Sequence, residues 1–285
     1  MFERMPVALG DLVFDVRVAG PEDGTPVMLL HGFPETSRSW TAVAEQLAAD
    51  GLRVIAPDQR GYSPGARPVG AHEYDIKELV ADVLGLMEAL GLDSAHLAGH
   101  DWGASVAWAA AAWHPERVRS LVAVSVPHPV SLTWAIDNDP DQQRRSAYIT
   151  LFRDPGKAEK TLLKANAAAF RALFGTHIAK EAVDEYVAHL SEPGALLAAL
   201  NWYCAMTREF GEIPAVTVPT TYLWSTSDPA LGEVAARRCE QHVEGDYRLI
   251  VLDGVSHWVS EEAPAAVVAA IRSRVAEAPP NTLLG

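Results

Sequence analysis

Asp101 stands at the centre of Gly99-His100-Asp101-Trp102-Gly103, between a short apolar run and an amphipathic stretch. Small residues two positions either side of a reactive residue suit a sharp strand-to-helix turn, where a strained centre leaves no room for neighbouring side chains. A serine at that centre would suit acyl transfer, but a carboxylate suits a different reaction. It is already ionised at neutral pH, and its attack on a saturated carbon gives an ester that activated water can cleave at the carbonyl. A serine attacking the same carbon would leave an ether. Taken alone, the pentapeptide reads more simply as a turn with an aspartate favouring a helix N-terminus. Its position and its partners favour the chemical reading. The nearby Ser105, in a looser Gly103-Ala104-Ser105-Val106-Ala107 pattern, falls inside the predicted helix and carries little weight.

Those partners lie just past other apolar runs. His31-Gly32-Phe33-Pro34 follows the run 27–30. There the backbone N–H of Phe33 can join that of Trp102 in an oxyanion hole, and Pro34 is a candidate for a cis peptide. Asp228 follows the run 220–224 and His257 follows 248–252, giving the chain order nucleophile, acid, histidine. Asp228 would orient the His257 imidazole, and His257 would serve as general base on water. Asp253 is a competing acid but sits too near His257 within one turn. His31, His100 and His128 occupy the same loops with no chemistry assigned. No His, Cys or carboxylate spacing suggests a metal site and no glycine-rich phosphate loop is present, so neither metal nor cofactor is expected.

The elements that must position these residues alternate. Strands are predicted at 12–18, 27–30, 53–56, 95–98, 121–125, 220–224 and 248–252, and helices at 38–49, 76–90, 104–114, 234–242 and 264–276. Beyond the first, the strands are continuous apolar runs, as in parallel strands covered on both faces. The pattern predicts an α/β fold with a mostly parallel, doubly wound sheet. It breaks between about 127 and 214, an Ala- and Leu-rich stretch of helical character. We therefore expect a core of 1–126 and 215–285 with a helical lid inserted at 127–214, and a frayed tail at 279–285.

A net charge of −14 argues against a phosphate-binding surface and hence against nucleic acid. The two cysteines, Cys204 and Cys239, form no CxxC pair and suit a reducing compartment as free thiols. The first residues lack a signal-peptide pattern and no run reaches membrane-spanning length, so a soluble cytoplasmic protein with no membrane partner is expected. The oligomeric state is left open, a homodimer included.

Taken together, HGFP at 31–34, GHDWG at 99–103, the acid in SDPAL around Asp228 and the base in GVSHW around His257 resemble the soluble-type epoxide hydrolases of the α/β-hydrolase fold. The resemblance covers nearly the whole chain. It implies a helical lid over the active site, a small apolar epoxide as substrate, and two lid tyrosines that protonate the opening ring. Tyr148, in Tyr148-Ile149-Thr150-Leu151-Phe152-Arg153-Asp154-Pro155-Gly156, and Tyr203, in Leu200-Asn201-Trp202-Tyr203, occupy the matching segments. A phenol can donate to a developing alkoxide. Trp134, Ile136, Phe170 and Trp202 are candidate pocket liners. Two features depart from the family pattern: Ser225 replaces a usual Gly near the acid, and Pro64-Gly65 follows Gln59-Arg60-Gly61-Tyr62-Ser63. The nearest rival is a haloalkane dehalogenase, which shares the Asp nucleophile and following Trp but often has an Asn where Phe33 stands. A fluoroacetate dehalogenase would carry Arg in place of Trp102. A non-catalytic binding protein on the same scaffold is the alternative from another class.

Overall fold

The short apolar runs form eight strands in one sheet: β1 (Glu3–Leu9), β2 (Leu12–Ala19), β3 (Pro26–Leu30), β4 (Arg53–Pro57), β5 (Ala95–His100), β6 (Val118–Val124), β7 (Thr220–Ser225) and β8 (Tyr247–Leu252). The computed structural model describes residues 2–206 and 208–278, so the tail expected to fray lies outside the described residues. The spatial order is β1-β2-β4-β3-β5-β6-β7-β8. β2 pairs antiparallel with both β1 and β4, and all pairings from β4 through β8 are parallel.

Helices cover the sheet: α1 (Thr41–Ala49), α2 (Ile76–Ala89), α3 (Trp102–Trp113), α4 (Pro129–Asn138), α5 (Pro140–Arg145), α6 (Ile149–Phe152), α7 (Pro155–Leu173, interrupted at 164–167), α8 (Lys180–Leu190), α9 (Ala195–Cys204), α10 (Glu233–Arg238), α11 (Val259–Glu262) and α12 (Pro264–Glu277). Strand side chains alternate between two cores, as period-two geometry dictates. Met28, Leu30, Ile55 and Leu97 join α2 and α3, while Val27, Leu29, Val54 and Ala98 join α1 and α12. Coverage on both faces explains why the central strands are apolar throughout.

Three differences from the sequence-based pattern have simple causes. β1 was not expected, because Pro6 interrupts the short apolar stretch 5–9 and an edge strand leaves most of its positions exposed. It is tied to β2 by a tight hairpin through Gly10, whose φ of 60° suits glycine. β8 is the other edge and stays half-exposed despite its apolar composition. Helix α3 starts at Trp102 rather than 104, directly after Asp101.

Between β6 and β7 the described residues carry helices α4 to α9, short 3-10 turns and no strand. This segment packs over the loops leaving β3 and β5: Phe152 and Tyr203 rest on Phe33, and Trp202 on Trp102. Among the described residues no helix is long and apolar enough to cross a membrane.

Candidate active site

Asp101 occupies the turn between β5 and α3 with φ 52° and ψ −120°. A non-glycine residue held there costs roughly 1–3 kcal/mol, so the surroundings must enforce it. Three glycines make the room. A Cβ on Gly99 would strike the Gly103 carbonyl, one on Gly103 would strike the Leu30 carbonyl, and one on Gly32 would strike the Asp101 side chain itself. Local backbone geometry thus requires the small residues that frame the nucleophile candidate.

The two oxygens of Asp101 face different partners. Oδ1 accepts the Phe33 backbone N–H at 2.8 Å, and the Trp102 backbone N–H also reaches the carboxylate. The Phe33–Pro34 peptide in this loop is cis. Oδ2 lies 3.5 Å from His257 Nε2. On the far side of the ring, His257 Nδ1–H donates to Asp228 Oδ2 at 2.8 Å. Asp228 Oδ1 accepts the N–H groups of Ala230 and Leu231 at 2.7 and 3.0 Å, so this buried carboxylate is fully partnered. Asp253 instead accepts from Thr226 Oγ1 at the surface.

Burial alone would lower the pKa of His257, but the charges of Asp228 and Asp101 outweigh it and hold the imidazole well above its usual range. Burial likewise raises Asp101, and the His257 hydrogen bond and charge reverse this, leaving its carboxyl below the usual value. Both shifts favour the charged forms, an imidazolium at His257 beside a carboxylate at Asp101.

Tyr203, on α9, and Tyr148, in the turn before α6, bring two phenols to the same place. Their rings lie 6.3 Å apart, and Phe152 packs edge-on against both. Tyr203 also stands edge-on to Trp102 at 5.1 Å. Desolvation of the hydroxyls raises both phenols above their ordinary pKa, with the nearby Asp101 charge adding to the effect, although Tyr148 as a whole is 37% exposed. Both remain protonated at neutral pH and able to donate.

Asp101, Arg145, Tyr148, Tyr203 and His257 line one half-open cavity of about 310 Å³, whose other walls are apolar groups that include Phe33, Phe152, Leu173, Pro229 and Trp258. None of the four expected pocket liners reaches it. Trp134 faces outward, 38% exposed, with the Arg238 guanidinium stacked on its ring at 4.0 Å. Ile136 packs partly buried against the core. Phe170 is wholly buried behind Phe174. Trp202 lies behind Trp102, its indole N–H donating to the Arg60 carbonyl at 2.9 Å. Large aromatics in this segment mostly fill its own interior, so size and position in the sequence do not select the cavity wall.

The remaining histidines near these loops are partnered within the fold. His31 Nε2 accepts the Gln59 N–H, and burial pushes its pKa down. His128 donates to the Pro214 carbonyl, and burial holds its pKa at about 3. His100 donates to the His257 carbonyl at 2.8 Å, while its Nδ1 lies 2.8 Å from Glu35 Oε2.

Residues not anticipated from the sequence complete the surroundings. Glu35 is wholly buried behind the loop after β3, and its only sequence signal was a charge directly after HGFP. On α5, Gln142 and Arg145 grip the acid loop. Arg145 donates to the Asp228 carbonyl at 2.5 Å, Gln142 donates to the Ala230 carbonyl at 2.7 Å, and Gln142 accepts from the Gly232 N–H at 2.8 Å. A polar helix reads as solvent-facing in sequence, which hid the wholly buried Gln142.

The strand order, the turn at Asp101, His257 beside it and Asp228 behind the imidazole define a hydrolase class, and comparison with known proteins agrees. The chain belongs to the α/β-hydrolase fold family, whose sequence model matches residues 25–181, in the group that holds named epoxide hydrolases. It is 36% identical to the AB hydrolase superfamily protein YfhM of Bacillus subtilis over 263 residues, covering 90% of this chain and 92% of that protein. It is 32% identical to epoxide hydrolase A of Mycobacterium tuberculosis over 299 residues, covering 89% and 91%. The crystal structure of epoxide hydrolase A from Mycobacterium thermoresistibile superposes with a TM-score of 0.86 at 29% identity, covering 98% of this chain and 99% of that one.

Proposed function

We propose that this protein hydrolyses epoxides to vicinal diols through an alkyl ester on Asp101, under a lid formed by the helices of 127–214. The observation that carries this reading is the division of labour at Asp101. Oδ1 is taken up by backbone N–H groups, while Oδ2 is turned toward His257, in a cavity whose other polar groups include two protonated phenols. The named activity of the mycobacterial relatives supports it.

In the first half-reaction, Asp101 Oδ2 attacks a ring carbon and the C–O bond to the epoxide oxygen breaks. Tyr148 and Tyr203 hold that oxygen, and one phenol gives it a proton. Asp101 then carries an uncharged ester whose carbonyl oxygen, Oδ1, already sits at the Phe33 and Trp102 N–H groups. Loss of the Asp101 charge removes one of the two charges that held His257 protonated. Its proton can now restore the phenolate, and the neutral imidazole, steadied by Asp228, takes a proton from water. The resulting hydroxide attacks the Asp101 carbonyl carbon. Collapse releases the diol and regenerates carboxylate, imidazolium and phenol, so protons balance over the cycle with no cofactor.

Phe33 offers no side-chain donor to a leaving halide, and the tyrosine pair has no role in dehalogenation. A panel of terminal and internal epoxides and bromoalkanes, scored for diol and halide together, tests the reading. The expected result is diol without halide. Halide without diol would keep Asp101, Asp228 and His257 but replace the reaction.

A further inference from the structure

The carboxylate of Asp101 sits at the junction of two lobes of very different size. Asp101, Tyr148, Tyr203 and Ala230 line both the 310 Å³ cavity and a second space of about 40 Å³. The second space ends against Ser105, Val126, Leu132, Met206 and Phe210. On the scale of roughly 10–15 Å³ per enclosed water, it holds about three water-sized groups. Its far wall is set in the packed interior, while the half-buried Ser146 and Ile149 line its other side. Ser105 is part of α3, Val126, Leu132 and Phe210 are buried, and Phe210 packs edge-on to Trp102 at 5.7 Å. Interiors packed in this way do not open for an extra ring without a cost in strain. Met206 is the one half-buried side chain among those five.

An epoxide has two ring carbons, each carrying its own substituents. With its oxygen at the two phenols and Asp101 beneath, one ring carbon must face each lobe. The geometry points to a substrate class: epoxides with a large apolar substituent on one ring carbon and nothing larger than about a methyl group on the other, the small end seated against Met206 and Phe210. This rests on the epoxide reading above and adds the limit on substitution to it.

The test uses the full-length protein and four epoxides that share one phenyl group. Styrene oxide, trans-β-methylstyrene oxide and trans-stilbene oxide place hydrogen, methyl and phenyl on the second carbon. 4-Phenylstyrene oxide is an isomer of trans-stilbene oxide with both rings on one carbon. Expected kcat/KM values for styrene oxide, trans-β-methylstyrene oxide and 4-phenylstyrene oxide lie within about tenfold of one another, and trans-stilbene oxide falls at least about a hundredfold below them, the range that pocket sterics can supply. Met206→Ala should raise the trans-stilbene oxide rate relative to styrene oxide. Trans-stilbene oxide within about tenfold of styrene oxide would overturn the inference, since a limit at the small lobe must discriminate more strongly than that. Equal loss of both isomers would also overturn it, since total bulk would then be the limit. Diol from none of the four would overturn the epoxide reading and this inference with it.

Discussion

A His257→Gln protein should consume one equivalent of epoxide and stop, gaining the mass of that epoxide on the peptide containing Asp101. The first half-reaction needs only the Asp101 carboxylate and the phenols, and the substitution removes neither, although it takes away the hydrogen bond and charge that His257 gives Asp101. The second needs a group to take a proton from water, and an amide cannot. Removing a general base slows its step by about a hundred- to ten-thousand-fold, enough for the ester to accumulate. Intact-mass measurement minutes after mixing checks this. Ester formation also shows that the variant has kept its fold, so the outcome cannot be mistaken for unfolding. Unmodified protein that continues to turn over would contradict the role given to His257.

The complementary result is expected from Tyr148→Phe/Tyr203→Phe. Here the carboxylate, the imidazole and the oxyanion donors remain, but nothing protonates the epoxide oxygen as the ring opens. Ester should form only slowly, the rate of alkylation falling by about a hundred- to ten-thousand-fold. Each single variant should retain part of the activity, because the two phenols converge on one position with rings 6.3 Å apart. Rapid-quench measurement of ester formation separates this effect from a loss of hydrolysis. A double variant that still alkylates at the parent rate would remove the tyrosines from the mechanism. Together the two variants divide the cycle: one accumulates the intermediate and the other is slow to make it.

How far the sequence carried this picture depended on whether the constraint was local. Gly99 and Gly103 are legible because each is demanded by backbone packed against the turn at Asp101. The positions of Asp228 and His257 follow from strand ends, and apolar runs mark strands well in a covered parallel sheet. The helical segment offers no such frame. Tyr148 and Tyr203 could be singled out only by the resemblance of their flanking residues, because a tyrosine on an amphipathic helix has many other uses. The same absence of a frame explains why Trp134, Ile136, Phe170 and Trp202 were expected at the cavity, whereas Phe152, Leu173 and Trp258 line it. Gln142 and Glu35 escaped notice because a polar residue looks solvent-exposed until its burial is known. Both are wholly buried. In Gln142 the reason is satisfied hydrogen bonding: its amide meets the Ala230 carbonyl and the Gly232 N–H that shape the loop after Asp228.

The central claim, an ester on Asp101 cleaved by water at its carbonyl carbon, can be tested without any mutation. A single turnover is run with enzyme in excess over styrene oxide in water enriched in heavy oxygen, and product and protein are then analysed by mass. If Asp101 is the nucleophile, the first diol carries ordinary oxygen from the carboxylate, and the Asp101 peptide acquires the heavy label. If water attacks the epoxide directly, the first diol carries the label and the Asp101 peptide does not, which would contradict the account.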